Sequence, residues 1–401
     1  YKINSVLLNK CYSQLSPEGG FELLLYLKAK GLFVLLKSEA LTQEKNNLKN
    51  KLKAAELEKF YLSLFHLYID FPFKYHDKKA IEKWGEQYIN AKAGSGESDK
   101  LYVKYHILLS EVNRCAAQKN PLKALGKTGA DLLRYEKELG ESKHYLARYY
   151  LYRSLISYYT YYEKGPQKIE EYLKKCLNLK DKIQFFFPIN IGQFLNLAYA
   201  DHLFSNQRTD EAWSIFKKEF DAGVSSDMYG YHYHCEQYIL LCIIKEEYEK
   251  AEALLNEVFH PLIELRADIL ATRGCLAYAK YYLTVKNLKL ASHYINTGRA
   301  INEKALYLPF DLQLRLLENI HFYFKKDYEF CYRLANRNIK FVQSQKDKKL
   351  FQNYLTLFRI IIMHSQLKRG KIRSRDEALM EEQQRIGSLY RNLYCNLLLS
   401  L

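Results

Sequence analysis

Apolar residues recur along much of this chain with the spacing of one face of an α-helix. Ala251, Leu254, Leu255 and Val258, for example, occupy positions i, i+3, i+4 and i+7, which fall on one side of a helix. Such stretches come in pairs, and a short polar turn separates the two members of a pair. The predicted first helices include Cys235–Lys245 and Ala271–Val285, and the predicted second helices include Tyr248–Phe259 and Leu288–Ile301. The pattern therefore predicts helix–turn–helix units.

The turns recur at a nearly constant interval. A small or apolar residue follows each turn and opens the second helix; in the seven turns it is Ala80, Ala124, Ile169, Ala212, Ala251, Ala291 and Cys331. Successive members of this set are 44, 45, 43, 39, 40 and 40 residues apart. One helix pair cannot bury both of its apolar faces, whereas stacked pairs bury them against one another. We therefore predict an all-α superhelix of about seven helix pairs. Asp210, Asn287 and Asp327 lie where a side-chain N-cap would accept the unpaired amides of the second helix.

Several units resemble the tetratricopeptide (TPR) family. Ala279, Tyr282 and Ala291 match the family's small, aromatic and alanine positions, and Leu203 takes the aromatic position of another unit. Tyr248 and Ala251 match the family's opening of a second helix. The resemblance covers roughly residues 60–345, lacks the usual Trp and terminal Pro, and has a repeat longer than the family's 34 or so residues. It implies a right-handed α-α superhelix (a TPR-like solenoid) with capping helices at both ends.

The ends of the chain depart from the repeat. We interpret residues 1–70 as an irregular N-terminal helical cap and residues 71–345 as the TPR-like repeats. No eighth turn with the same pattern follows Cys331 at the expected distance. Residues 346–401 are therefore interpreted as a basic segment and a C-terminal closing helix.

Composition agrees with helices and limits the function. Only 7 Pro and 17 Gly occur in 401 residues, so the chain has few residues for β-hairpins, and its 36 Tyr suit half-buried helices. No apolar run is long enough to span a bilayer. The eight cysteines form no C-x-x-C pair, which favours free thiols in a reducing compartment and a cytoplasmic location.

His232, His234 and Cys235 could suggest a metal site, but without a second such cluster a helix start is favoured.

No sequence motif indicates catalysis. The chain contains no P-loop, no G-x-G-x-x-G, no H-E-x-x-H and no G-x-S-x-G. We therefore expect a protein that is not an enzyme and that holds no cofactor and no metal.

The net charge of +16 is unevenly distributed. Residues 340–375 contain ten basic residues and one acidic residue. Such a region attracts nucleic acid, an anionic membrane surface or an acidic protein, although it could equally be a solvated surface. The predicted patch for an anionic partner consists of Lys348, Lys349, Lys368, Arg369, Lys371, Arg373 and Arg375.

The TPR resemblance implies a second candidate site, because the first helices of such repeats line a concave groove. Projecting the pattern onto this chain selects cations, tyrosines and one acid, which could hold a peptide by charge-assisted hydrogen bonds and stacking. The same residues could instead be packing between repeats. The predicted groove residues are Arg148, Arg153, Tyr158, Tyr162, Asp201, Arg273 and Lys280.

These observations favour a non-catalytic scaffold that binds a peptide or protein segment in the groove. Two alternatives stay open at this point. The first is binding of nucleic acid or a nucleoprotein through the basic C-terminal region. The second is a peptide-sensing bacterial regulator, since some such regulators have similarly long TPR-like units.

Overall fold

All regular structure in the described part of the chain is helical, which confirms the all-α prediction. The computed structural model describes residues 33–49, 53–69, 77–92, 94–116, 121–140, 142–160, 165–187, 190–226, 228, 230–265, 268–305, 308–345 and 351–370. The chain divides into two compact units, Tyr1–Ile183 and Gln184–Leu401. No helix among the described residues has both the length and the apolar character needed to cross a membrane.

The first unit is a series of helices that pack in chain order. They are α1 (Phe33–Lys49), α2 (Ala54–Ile69), α3 (Lys78–Ala91), α4 (Glu97–Ala116), α5 (Pro121–Leu139), α6 (Tyr145–Tyr158), α7 (Pro166–Leu177) and the single turn α8 (Lys180–Ile183). Helix α2 packs on α3, α4 packs on α5 and α6, and α6 packs on α7. Large rings, among them Trp84, Tyr105 and Tyr172, are fully buried in this unit. Many of the tyrosines are therefore packing residues.

The second unit is more regular. After a short 3-10 turn (Gln184–Phe186), its helices are α9 (Ile191–Ser205), α10 (Thr209–Asp221), α11 (Tyr231–Ile244), α12 (Tyr248–Leu254), a π-helical turn (Leu255–Phe259), α13 (His260–Glu264), α14 (Asp268–Thr284), α15 (Leu288–Ala305), α16 (Leu308–Phe324), α17 (Tyr328–Ser344) and α18 (Gln352–Lys368). Helices α9, α11, α14, α16 and α18, here called the first helices, each contact the next one in order. Each first helix except α18 also packs on the second helix that follows it, namely α10, α12, α15 or α17. Helix pairs thus pack neighbour to neighbour, as the repeat predicts.

All seven turns predicted from the sequence open a helix, namely α3, α5, α7, α10, α12, α15 and α17. Two of the three predicted N-caps are confirmed. Asp327 Oδ1 accepts the amide of Phe330 at 3.1 Å, and Asn287 Oδ1 accepts that of Leu290 at 3.2 Å. The prediction for Asp210 is wrong, because α10 begins at Thr209 and places Asp210 inside its first turn. From there its carboxylate pairs with a lysine at the end of α11.

The turns between first and second helices share one backbone conformation. Gln207, Glu246, Lys286 and Lys326 have φ values of 67°, 60°, 57° and 63°, in the left-handed region. At the third of these turns the amide of Asn287 donates to the carbonyl of Tyr282 at 2.8 Å, and the same bond recurs at the other three. This pattern is the Schellman motif, which pairs the last carbonyls of a helix. The repeat seen in the sequence is therefore also a repeat of backbone geometry.

A left-handed residue also ends α18, at a place that the sequence pattern did not mark. Gly370 ends α18 with φ 68°, and its amide donates to the carbonyl of Leu367 at 2.9 Å. It lies 44 residues after Lys326. Helix α18 packs on α16 and α17, as the preceding first helices pack on their neighbours. A first helix therefore lies within the segment that the sequence assigned to the basic region.

The residue five positions after each of the four left-handed residues other than glycine is small and fully buried. Ala212, Ala251, Ala291 and Cys331 are all 0% exposed. A short side chain at this position lets the second helix approach the first closely, which longer side chains would prevent. The small residues that the sequence pattern identified thus mark the closest approach within each helix pair.

We expect Gln207→Gly to stabilise the second unit by about 0.5–1 kcal/mol. A side chain in the left-handed region costs roughly 1–2 kcal/mol, and the more flexible unfolded chain of the glycine variant cancels part of this gain. Gln207→Ala retains the Cβ atom and should change the stability little. Urea unfolding followed by circular dichroism measures both variants, and equal stability of the two would contradict the expectation.

Candidate functional site

The predicted groove residues of the first unit make contacts within that unit. Arg148 donates from Nε and Nη2 to the hydroxyl of Tyr152, at 3.3 and 3.2 Å, and lies partly buried. The half-buried Arg153 donates from Nη1 to the hydroxyl of Tyr149 at 2.9 Å. Both tyrosines lie on the same helix as the arginines, α6, so these contacts fix the cations along one face of that helix.

Tyr158 is also a packing residue in this structure, and Tyr162 lies outside the described residues. The ring of Tyr158 is 4% exposed and meets Tyr159 edge-on. It covers Gly129, where a Cβ atom would collide with the ring. Contact of these residues with a peptide stays a prediction.

Two of the predicted groove residues of the second unit bind the same carboxylate. Glu236 accepts from Arg273 Nη1 at 2.7 Å and from Lys280 Nζ at 3.2 Å. Glu236 and Lys280 are 6% and 4% exposed, whereas the side chain of Arg273 is 22% exposed. Glu236 lies on α11 and its two partners lie on α14, so the cluster joins consecutive first helices.

Asp201 takes part in a similar contact one repeat earlier. Its Oδ2 atom lies 2.9 Å from Nδ1 of His234, which joins α9 to α11. Burial raises the pKa of Asp201 above its usual value, and the neighbouring His234 opposes that rise. Sequence reasoning missed Glu236 and His234 as partners. Acidic and basic side chains 37 and 33 residues apart, close to one repeat, were the available signal.

The structure describes two residues of the predicted anionic-partner patch, one exposed and one held by neighbouring side chains. Lys368 is exposed, whereas the side chain of Arg369 is 16% exposed, pairs with Glu329 and lies 5.1 Å from the ring centre of Tyr332. Arg369 is thus held on α17. The other members, Lys348, Lys349, Lys371, Arg373 and Arg375, lie outside the described residues.

The run of histidines and cysteine at residues 231–235 is a helix start, as predicted, because α11 begins at Tyr231. His234 contacts Asp201, and burial raises the pKa of the Cys235 thiol to about 12. Within the described ranges, no three His, Cys, Asp or Glu side chains lie close enough together to hold a metal ion.

A cavity of about 590 Å³ lies where α15, α16 and α17 meet. Its volume falls within the usual range for sites that bind small ligands or peptide side chains. Eight residues from these three helices line it: Arg299, Asn302, Glu303, Leu308, Asp311, Arg315, Arg337 and Phe341. We call this cavity the inter-repeat pocket, because two consecutive helix pairs contribute to it.

Two of its three arginines are fixed by neighbouring acids. Arg299 makes a two-pronged contact with Glu318, at 2.6 Å from Nη1 and 2.5 Å from Nη2. Arg315 donates from Nε to Asp311 at 2.8 Å, and its guanidinium lies 4.1 Å from the ring centre of Phe341. These contacts hold both guanidinium groups in set orientations at the wall of the pocket.

The third arginine and one acid of the pocket are available to a ligand. Arg337 and Glu303 are exposed, and neither makes a hydrogen bond or an ion pair with any residue that the structure describes. Among the residues that the structure describes, the pocket therefore presents a cation and an anion without a partner beside the side chains of Leu308 and Phe341. The sequence could not mark these residues, since the TPR-like pattern names packing positions only.

A scan against protein-family models matched no family, and a search of curated proteins found no match.

Proposed function

We propose that this chain is a non-catalytic scaffold whose TPR-like helix pairs form a superhelix that binds a peptide or protein segment. The observation that carries the proposal is the inter-repeat pocket, with Arg337 and Glu303 both available at its surface. A peptide offers charges of both signs, backbone donors and acceptors, and apolar side chains. The pocket lining offers the complement of each.

The chemistry of the lining fits this class of ligand. The guanidinium of Arg337 can donate two parallel hydrogen bonds to a carboxylate or to peptide carbonyls. Glu303 can accept from an amine or a backbone amide, and Leu308 and Phe341 supply apolar surface. Because Glu318 and Asp311 already orient Arg299 and Arg315, ligand binding need not order those side chains again.

The cysteines bear on where such a scaffold acts. Those whose state the structure gives, Cys176, Cys235, Cys242, Cys275 and Cys331, are free and buried. Free thiols support a reducing compartment such as the cytoplasm.

The test begins with selection of ligands from a displayed library of random peptides on the wild-type chain. We expect Arg337→Glu to weaken the selected peptides about tenfold to a hundredfold, because a hydrogen bond to a charged group contributes roughly 1.5–3 kcal/mol. Fluorescence anisotropy measures the affinities. Lys340→Glu makes the same charge change on the same helix, outside the pocket lining, and should leave them nearly unchanged.

The opposite result would overturn the proposal. It fails if no peptide is selected, or if the selected peptides bind the Arg337→Glu and Lys340→Glu variants equally. Thermal unfolding of both variants confirms that they fold before binding is compared.

A further inference from the structure

One edge of the second unit collects the turns between first and second helices. The first helices contact one another in order, and a short turn joins each of them except α18 to a second helix that the structure describes. Their C-terminal ends therefore lie side by side. The five turns on this edge contain Gln207, Glu246, Lys286, Lys326 and Gly370, which all have positive φ.

The inter-repeat pocket lies at the other end of the same helices. It uses Leu308, Asp311 and Arg315 in the first half of α16, whereas the turn at Lys326 follows the last residue of α16. A helix of 17 residues is roughly 25 Å long. The edge and the pocket are therefore separate surfaces.

Positive charge is concentrated on the last three turns of this edge. Residues 285–290, 325–330 and 367–370 contain six basic and two acidic residues. Residues 206–211 and 245–250, at the first two turns, contain three basic and five acidic residues. The excess of cations is thus a property of three neighbouring turns and not of the turn geometry.

Five of these cations are uncompensated within the described structure. The five lysines are exposed and form no ion pair with any described residue, and we call them the basic edge: Lys286, Lys289, Lys325, Lys326 and Lys368. The two acids are already engaged. Asp327 caps α17, and Glu329 pairs with Arg369.

A favourable interaction with the helix dipole does not account for this pattern. The helix dipole stabilises cations near a helix C-terminus only weakly at exposed positions. The turns at Gln207 and Glu246 end helices in the same way, yet they carry more acids than bases. At a turn between a first and a second helix, the dipoles favour cations at the end of the first helix and acids at the start of the second. They act in the same way at turns with and without the excess of cations, so the restriction to three neighbouring turns needs another cause.

We propose that the basic edge binds the phosphate backbone of a nucleic acid without regard to base sequence. Neighbouring helices lie about 8–10 Å apart, so three neighbouring turns span roughly 20 Å. A nucleic acid presents several phosphates over this length. Lysine ammonium groups act as flexible point charges and need no fixed two-pronged geometry. Protein–protein interfaces are depleted in lysine, which makes an acidic protein a poorer match to this surface.

This inference goes beyond the proposed peptide scaffold, and a separate experiment tests it. The probes are a labelled DNA duplex of mixed sequence and a labelled single-stranded RNA of equal length. The affinity for the duplex should fall with salt, with log K decreasing by about 0.9 per log unit of salt for each phosphate contacted. With five lysines engaged, we expect a slope of about −4.5, measured by anisotropy over a KCl series.

A variant that removes four of these charges isolates the edge. Replacing Lys286, Lys289, Lys326 and Lys368 by Gln should reduce the slope by about one per lysine and nearly abolish binding at roughly 0.15 M salt. Glutamine already occupies the equivalent turn position at Gln207, so the turn geometry is retained. The control variant replaces Lys79, Lys100, Lys218 and Lys340, which are exposed elsewhere, and has the same net charge.

The inference is overturned if the control variant loses as much affinity as the edge variant, since net charge alone would then explain binding. Two further probes are poly-glutamate and vesicles that contain phosphatidylserine. The inference is also overturned if replacing the edge lysines weakens binding to either of these probes but leaves binding to the duplex and the RNA unchanged. Arg337→Glu should leave the salt slope unchanged, because that residue lines the pocket at the other end of the helices. Failure of either proposal is therefore recognisable on its own.

Discussion

Replacing Glu236 with glutamine is expected to destabilise the second unit by about 3–5 kcal/mol. The substitution removes the carboxylate that Arg273 and Lys280 share, and Lys280 is only 4% exposed. A buried charge that loses a carboxylate beside it keeps its desolvation penalty, and such a loss typically costs about 3–5 kcal/mol. Arg273 is partly exposed, so water can compensate its charge, and the penalty falls mainly on Lys280.

Urea unfolding followed by circular dichroism measures this effect. Glu249→Gln is the matched control, since Glu249 is exposed and has no ion pair with a described residue, and it should change stability by less than about 0.5 kcal/mol. Replacing Glu236 and Lys280 together by methionine should recover most of the loss, because an apolar pair carries no desolvation penalty. Equal stability of Glu236→Gln and the wild type would show that the shared carboxylate does not hold α11 and α14 together.

Gly298→Leu is expected to destabilise the same unit by about 2–3 kcal/mol. A Cβ atom at Gly298 would lie 2.9 Å from Leu314 Cδ2 and 3.0 Å from Cys275 Cβ, so side chains of α16 and α14 both limit the space. Inserting extra methylene groups into a packed core typically costs about 1–3 kcal/mol, occasionally more. Leucine is the better helix former by about 0.8 kcal/mol, so a net loss reports packing and not helix propensity.

Ala300→Leu provides the control for this substitution. Ala300 is exposed on the same helix, two residues after Gly298, and a leucine there should change stability by no more than about 0.5 kcal/mol. The two variants are compared by urea unfolding under the same conditions. If both have the stability of the wild type, α15 does not pack against its neighbours as closely as described.

The local features of the fold could be predicted from the sequence because they depend on residues close together in the chain. The small residue near the start of each second helix, such as Ala212 or Ala291, lies five positions after a left-handed turn residue. Because that spacing repeats along the chain, it can be recognised in the sequence. The sequence pattern did not identify the turn at Gly370, because Arg375 occupies the position where the other turns of this unit have a small residue.

Contacts between repeats could not be predicted in the same way. The pairing of Glu236 with Arg273 and Lys280 depends on the rotation of two helices about their axes. A repeat of 39–45 residues, longer than the TPR unit, leaves that rotation undetermined. The inter-repeat pocket forms where three helices meet, and residues such as Arg337 and Glu303 belong to no local pattern. Only the folded chain brings them together.

Hydrogen exchange of the chain with and without a selected peptide tests the central claim most directly. Exchange of backbone amides slows where a ligand restrains local opening. If the inter-repeat pocket holds the peptide, protection should appear in residues 299–315 and 337–341 and should be lost in the Arg337→Glu variant. Protection confined to other helices, and unchanged in that variant, would contradict the account.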